Sequence, residues 1–206
     1  MENLNNLKYG KFRLLMDTME AYGKISDQTK EIITKEVQSI KIKKGELLND
    51  SFDLTNTVFF IQKGFIRCLI KTNEKEVTTW ISGKGSFILG IREIFGDKPI
   101  KEKLEAISKS ELYYIGLEDF FNILKRDFKL FEIYQKLLQD YYAKAEERVY
   151  LSKIPNAPER LQHFLNSEKA KELKELPDKY IAELLNIRPE TFSRLKIIDE
   201  NQDFTK

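Results

Sequence analysis

Six polar side chains in the C-terminal part of the chain could together recognise a nucleic acid. Arg194 can donate two hydrogen bonds to the acceptor edge of guanine, and Glu190 can accept one from the amino group of cytosine. Hydroxyl and cationic side chains beside them can contact phosphate oxygens, which fix register without reading sequence. These phosphate-contact candidates are Arg188, Thr191, Ser193 and Lys196. The set predicts a surface that reads double-stranded DNA, with Glu190 and Arg194 as its base-reading pair.

The sequence around these side chains is typical of two short helices joined by a tight turn. Asn186 stands where the turn needs a left-handed backbone, which Asn tolerates better than most residues. Pro189 suits the first position of a helix, where no backbone N–H is needed. Phe192 and Leu195, three residues apart, would then face inward. We therefore expect a helix-turn-helix with the polar set outside. The alternative is a helical hairpin that contacts a protein partner.

Composition places the chain among ordinary globular proteins. Its 206 residues suffice for one large or two small domains, with 41% hydrophobic and 33% charged residues. No apolar stretch approaches the ~20 residues that a bilayer crossing needs, and the polar N-terminus lacks the apolar run of a secretory signal. We therefore expect a cytoplasmic protein with no membrane partner. The net charge is only +2, so any DNA-binding charge must be local.

The single cysteine and the single histidine limit the chemistry that this chain could perform. Cys68 lies in an apolar run and is expected to be a buried, inert thiol. One cysteine cannot supply an iron–sulfur cluster or a zinc ribbon, and His163 has few companions for haem or metal ligation. No set of acids, bases or nucleophiles is clustered in the sequence. We expect no cofactor, no metal and no enzymatic activity.

The order of hydropathy patterns predicts an α+β protein. Residues up to about Ile40 are predicted to be helical. Between Leu47 and about Ile115, short runs rich in aromatic and β-branched residues alternate with Gly and Asn turns, which is typical of a β-sandwich or barrel, with a jelly roll as the best interpretation. The predicted strand runs are 58–61, 65–70, 77–81, 87–89, 104–107 and 112–115.

A long helix is predicted over residues 117–152. Six of its residues recur at close to heptad spacing, which favours a seam with a second copy of the chain over a helix packed only on its own domain. They are Phe131, Tyr134, Leu138, Tyr141, Ala145 and Val149. Pro155 and Pro158 end this helix. We therefore predict a sensor domain with its dimerisation helix at 1–153 and a DNA-binding domain at 154–206, with a polar linker at 168–174.

Five segments carry a resemblance that covers nearly the whole chain: 59–67, 85–88, 104–106, 157–161 and 180–194. With the order of elements, they resemble the cyclic-AMP receptor / fumarate-nitrate regulator (Crp/Fnr) superfamily of bacterial transcription factors. The Arg-Pro-Glu-Thr-Phe-Ser-Arg form of 188–194 is similar to the branch common in Bacteroidetes. The resemblance implies a homodimeric regulator that binds a near-palindromic operator, with RNA polymerase as a further candidate partner.

The resemblance also assigns roles to individual positions. In that family the positions matching Glu190 and Arg194 contact bases. A third base-reading position, usually arginine, is Pro189 here. We therefore expect the target sequence to differ from the family's usual half-site.

The predicted sensory site departs from the family's cyclic-nucleotide binders. Those proteins place a Glu after a Gly at the position of Gly90 and an Arg-Ser pair on the following short helix. Here Ile91 follows the glycine and cannot accept hydrogen bonds from a ribose. Lys101 could hold a phosphate as a point charge, but Glu102 would repel it. We expect the pocket around these four residues to bind a small-molecule effector other than cyclic AMP, or none.

Overall fold

The computed structural model describes residues 9–73, 75–89 and 102–203, of which 199–203 are described by their backbone only. Within these ranges the strands form two antiparallel sheets, in the orders β1-β7-β2-β5 and β4-β3-β6. The strands are β1 (Gln38–Ile42), β2 (Thr57–Lys63), β3 (Ile66–Lys71), β4 (Glu76–Ser82), β5 (Phe87–Leu89), β6 (Glu102–Ala106) and β7 (Ser110–Gly116). The helices are α1 (Arg13–Glu20), α2 (Asp27–Glu36), α3 (Leu117–Arg126), α4 (Phe128–Lys153), α5 (Ala157–Leu165), α6 (Glu168–Leu173), α7 (Asp178–Leu184) and α8 (Pro189–Asp203).

The two sheets pack face to face around one apolar core. Phe59 and Ile61 of β2 point into this core together with Cys68 of β3 and Leu104 of β6. Cys68 has no exposed surface, as expected for an inert thiol. The alternation of side chains along each strand explains why every second residue enters the sandwich. The predicted β-rich domain is thus confirmed, and all six predicted strand runs coincide with observed strands.

Helices cover the outer face of the four-stranded sheet. Val58 and Phe60, which alternate with the inward-facing residues of β2, pack against Leu15 of α1, Ile123 of α3 and Ile133 of α4. Because both faces of this sheet are buried, β2 reads as a continuous apolar run rather than an alternating one. The helices before and after the sandwich are therefore parts of the same packed body.

The predicted helical stretch at the start of the chain is too long. Ser26 caps α2, its hydroxyl accepting a hydrogen bond from the Thr29 amide over 3.1 Å. The helix ends at Glu36, and Val37 is already extended. From Gln38 the chain pairs with β7, in register with Tyr114. Hydrogen bonding to the sheet edge overrides the helical pattern at residues 38–40.

The long helix predicted over 117–152 is two helices. Asp127 has an extended backbone (φ −134°, ψ 102°) and separates α3 from α4. Its carboxylate accepts hydrogen bonds from the amides of Lys129 (2.9 Å) and Leu130 (3.3 Å), and from the hydroxyl of Thr29. These bonds satisfy free amides at the start of α4. The helix predicted to form the dimer seam is therefore α4, which begins at Phe128. Helix α3 packs on the β-sandwich instead.

The C-terminal helices pack against each other and against the three-stranded sheet. Their apolar cluster includes Ile81 of β4 and Ile107 next to β6, both essentially unexposed. The predicted polar linker at 168–174 is mostly the short helix α6. It is ordered because Leu173 is 1% exposed inside this cluster. The division of the chain at residues 153 and 154 stays a prediction.

We predict that Asp127→Ala lowers the free energy of unfolding by about 1–2 kcal/mol, because the start of α4 loses its cap. Asp127→Asn is the matched variant, since it retains a capping side chain without the charge, and it should lose less. Urea titrations of the three proteins at neutral pH measure both differences.

The effect of Asp127 should also depend on pH. The hydrogen bond from Thr29, more than any other contact, lowers the pKa of this carboxyl below its usual value. A lowered pKa in the folded state means that the stabilisation is complete above the ordinary pKa and disappears as pH falls through the folded one. The gap in stability between the native protein and Asp127→Ala should therefore shrink in acid. An unchanged gap from neutral pH to about pH 2.5 would contradict this role.

Candidate nucleic-acid interface

Helices α7 and α8 form a pair around a small apolar core. Tyr180 and Ile181 of α7 and Phe192 of α8 are each at most 6% exposed. Ala182 is 1% exposed, and its small side chain allows the second helix to cross close by. Of the two residues predicted to face inward, Phe192 is buried and Leu195 is half-buried against the same cluster, and the opposite face of α8 is directed outward.

The turn between the two helices is set by one residue with a left-handed backbone. Asn186 has φ +50°, as the sequence predicts. The Asn186 amide donates to the carbonyl of Glu183 over 3.0 Å, and the amide of Ile187 donates to that of Ala182 over 2.9 Å. Pro189 is the first residue of α8, also as predicted. These bonds close the turn and fix the direction in which α8 leaves it.

Arg160 braces this turn from outside the pair, which the sequence analysis did not anticipate. Its guanidinium donates to the carbonyl of Ile154, at the end of α4, and to that of Asn186 over 3.5 Å. Arg160 lies on α5, which also contributes Leu161 to the apolar cluster. Its sequence signals were its place next to that buried leucine and within segment 157–161, which carries part of the family resemblance.

The outer face of α8 carries the predicted contact residues. Glu190 and Arg194 are exposed and lie four residues apart, which places them on the same side of the helix. Arg188 and Ser193 are also exposed, and Thr191 is half-buried. The structure therefore brings five of the six predicted residues to one accessible surface. That surface combines hydrogen-bond donors, acceptors and positive charge.

Lys196 is engaged within the helix pair. Its ammonium group contacts both carboxylate oxygens of Asp178, at 2.9 and 3.1 Å, and so connects α8 to the start of α7. Both side chains are more than two-fifths exposed. An ion pair this exposed contributes little to stability. The lysine can therefore exchange its partner for a phosphate at small cost.

The predicted dimer residues lie along α4, where Tyr134 still packs edge-on against Phe120 of α3, with ring centres 5.5 Å apart. Beyond Ile133 this helix has no buried residue, whereas Phe131 (39%), Leu138 (38%) and Val149 (53%) are exposed. The other three, Tyr134, Tyr141 and Ala145, are half-buried. Burial raises the pKa of the Tyr141 hydroxyl above its usual value. The protomer therefore leaves an apolar strip uncovered along a 26-residue helix.

Three of the four predicted effector-pocket residues, Gly90, Ile91 and Lys101, lie outside the described residues. Glu102 begins β6, and its carbonyl accepts a hydrogen bond from the amide side chain of Asn49 over 2.9 Å. The neighbouring Lys103 forms an ion pair with Glu76 at 2.7 Å. The described part of this region is thus the edge strand β6, held by Asn49 and by the Lys103–Glu76 ion pair. The pocket itself stays a prediction.

The described part of the chain holds neither a candidate membrane span nor a candidate metal site. No helix there is long and apolar enough to cross a membrane. No group of three or more His, Cys, Asp or Glu side chains there is arranged as metal ligands would be.

The β-sandwich matches a known domain family. Residues 39–127 match the family model described as the cyclic nucleotide-binding domain. The match runs from β1 to the break at Asp127, which is the sandwich together with α3. This part of the chain is therefore similar to cyclic nucleotide-binding domains. No curated protein matches the sequence.

Solved structures extend the similarity to most of the chain. FixK2 from Bradyrhizobium japonicum aligns with a TM-score of 0.64 at 14% identity, over 81% of this chain and 86% of its own. A mutant of CooA from Carboxydothermus hydrogenoformans gives 0.63 at 17% identity, over 91% and 84%. A protein of Eubacterium rectale assigned to the Crp/Fnr transcriptional regulators gives 0.59 at 16%, over 86% and 85%.

These similarities confirm the family resemblance predicted from the sequence. The chain has the fold of the Crp/Fnr transcription regulators. Similarity to the Bacteroidetes branch stays a prediction.

We predict that Asn186→Ala lowers the free energy of unfolding by about 1 kcal/mol, because alanine is strained at a positive φ. Asn186→Gly should lose less, since glycine adopts this backbone freely. Thermal unfolding of both variants tests the turn. Equal losses would mean that the Asn side chain, and not the backbone conformation, is what matters here.

Proposed function

We propose that the protein is a homodimeric, sequence-specific DNA-binding transcription regulator whose β domain senses an effector other than cyclic AMP. One observation carries the proposal: α8 turns Glu190 and Arg194 outward on a helix fixed by the Asn186 turn. A rigid helix that presents an arginine fork and a carboxylate suits the major groove. Residues 154–206 form the DNA-binding domain of this proposal, as a helix-turn-helix.

The charge of the proposed surface is local, as the small net charge requires. Arg188 and Arg194 are exposed beside it, and Lys179 lies exposed on α7. Lys196 can join them by leaving Asp178. Together with the hydroxyls of Thr191 and Ser193, these groups supply the phosphate contacts. Affinity then depends on two copies binding at once, since each copy brings few cations.

The exposed strip of α4 supplies the proposed dimer contact. Pairing two such helices would bury the aliphatic and aromatic side chains that the protomer leaves uncovered, which stabilises association by the hydrophobic effect. A two-fold axis along this seam would present two copies of α8 to successive major grooves, about 34 Å apart on a near-palindromic operator. RNA polymerase would then be a neighbour on the promoter.

The effector part of the proposal rests on the sequence of the pocket. A cyclic nucleotide needs an acceptor for its ribose hydroxyls and a cation for its phosphate. Ile91 cannot serve as the acceptor, and Glu102 follows the candidate cation, Lys101, directly in the sequence. A ligand of different chemistry therefore fits this chain better.

Selection of bound duplexes from a random pool tests the DNA-reading role. The native protein should enrich a near-palindromic sequence, and binding should weaken steeply as salt rises, because phosphate contacts release counterions. Arg194→Ala should weaken binding to the selected duplex by about 1–3 kcal/mol per half-site and relax the preference at one base pair.

Arg188→Ala is the matched control, since it removes a cation from the same face without removing a base contact. It should weaken binding similarly on selected and random duplexes and keep the base preference. Equal losses of Arg194→Ala on selected and random DNA would refute base reading. Enrichment of no duplex would favour the alternative, a sensing dimer whose helix pair contacts a protein.

The dimer is tested by Leu138→Glu, which places a charge in the proposed seam. We expect this variant to be monomeric at concentrations where the native protein is dimeric, because burying an unpaired carboxylate is costly. Gln139→Glu adds the same charge one position along the helix, outside the predicted heptad set, and should remain dimeric. Sedimentation equilibrium measures both. A dimeric Leu138→Glu would place the interface elsewhere.

A further inference from the structure

A half-buried guanidinium joins the C-terminal helices to the three-stranded sheet. Arg67 of β3 is 16% exposed. It contacts Glu105 of the neighbouring β6 at 2.8 Å and Glu183 of α7 at 2.6 Å. The hydroxyl of Thr78, on β4, also donates to Glu183 over 3.2 Å. The guanidinium carbon lies 5.4 Å from the ring centre of Tyr180. One side chain thus bridges a carboxylate of the β domain and one of the proposed DNA-binding segment.

A second contact anchors the same helices at the other end of β4. The carboxylate of Glu172, on α6, accepts a hydrogen bond from the amide of Gly83 over 2.7 Å and pairs with Lys169 at 2.8 Å. A Cβ at Gly83 would lie 2.8 Å from the ring of Phe65, so any larger residue here would have to displace that ring. With the apolar contacts of Ile81, these bonds hold the segment at two points along one strand.

This docking leaves the proposed DNA face open. The contacts to the sheet come from α6 and α7, whereas Glu190 and Arg194 on α8 are exposed. The contact therefore does not block DNA. What it fixes is the direction of α8 relative to the β domain that carries α4.

We propose that Arg67 is a positioning residue for DNA binding and that it acts through Glu183. This inference rests on the proposed function. The contact holds α8 at one angle to the dimer helix α4. When α8 of one protomer occupies its half-site, α8 of the other protomer therefore already faces the second half-site. Binding of the second half-site then costs little further ordering, which raises affinity for the full operator. A single half-site gains nothing from this arrangement.

Substitutions of the two carboxylates that contact Arg67 separate a positioning role from a general effect on stability. Glu183→Gln removes the charge that reaches the C-terminal segment, and Glu183 is 45% exposed on its side chain, so glutamine is easily accommodated. Glu105→Gln is the matched control, because it removes the other carboxylate of Arg67 without touching that segment. Affinity of both is measured for a full duplex selected by the native protein and for the same duplex with one half-site scrambled.

Glu183→Gln should weaken binding to the full duplex about 10-fold and leave half-site binding unchanged. Glu105→Gln should leave the ratio of the two affinities as in the native protein. Amide hydrogen exchange should show faster exchange in β4 and α7 for Glu183→Gln alone, because the docked surface opens. Glu183→Lys, which repels Arg67, should enlarge both effects.

Other results would overturn the proposal. Equal losses of Glu183→Gln on full and half sites would indicate a structural defect of the helix pair. Tighter binding to the full duplex would mean that the contact restrains an inactive arrangement. Unchanged exchange in β4 and α7 would show that Glu183 does not hold the segment. If the native protein selects no duplex, the proposed function itself fails, and the positioning role fails with it whatever the exchange data show.

Discussion

The whole structure depends on burying both faces of each β-sheet. Residues that alternate along β2 enter the sandwich on one side and meet the helices on the other, as Phe59 and Phe60 do. The three-stranded sheet has the same need, and Ile81 is covered by the C-terminal helices. The helices are therefore not appendages. Each apolar outer face of the sandwich requires a cover, and this requirement fixes where the proposed DNA-binding segment lies.

Local signals in the sequence were enough to predict most elements. Strand runs are short, apolar and bounded by turn residues, and their positions follow from that pattern alone. Asn186 and Pro189 mark the turn and the start of α8 because few residues suit a positive φ or the first turn of a helix. The β-rich domain and the direction of the polar face of α8 could therefore be anticipated without any knowledge of long-range contacts.

The errors share a physical cause, which is that distant contacts decided the outcome. Residues 38–40 follow a helical pattern but pair with β7, some 70 residues later. The polar stretch at 168–174 becomes helical around Leu173. Asp127 interrupts the helix predicted over 117–152 because Thr29 and two amides donate hydrogen bonds to its carboxylate. The bridge from Arg67 to Glu183 spans 116 positions, and nothing near either residue in the sequence marks it.

Arg160 stiffens the segment between the end of α4 and the turn at Asn186. It holds the carbonyl of Ile154 at the pivot and that of Asn186 near the far end, and Leu161 one residue on anchors it in the cluster. These contacts connect the end of α4 to the turn before α8, so a change of backbone direction next to Pro155 reaches α8 through Arg160 as well as through the chain itself. A small angular change at the end of α4 becomes a larger displacement at the tip of α8.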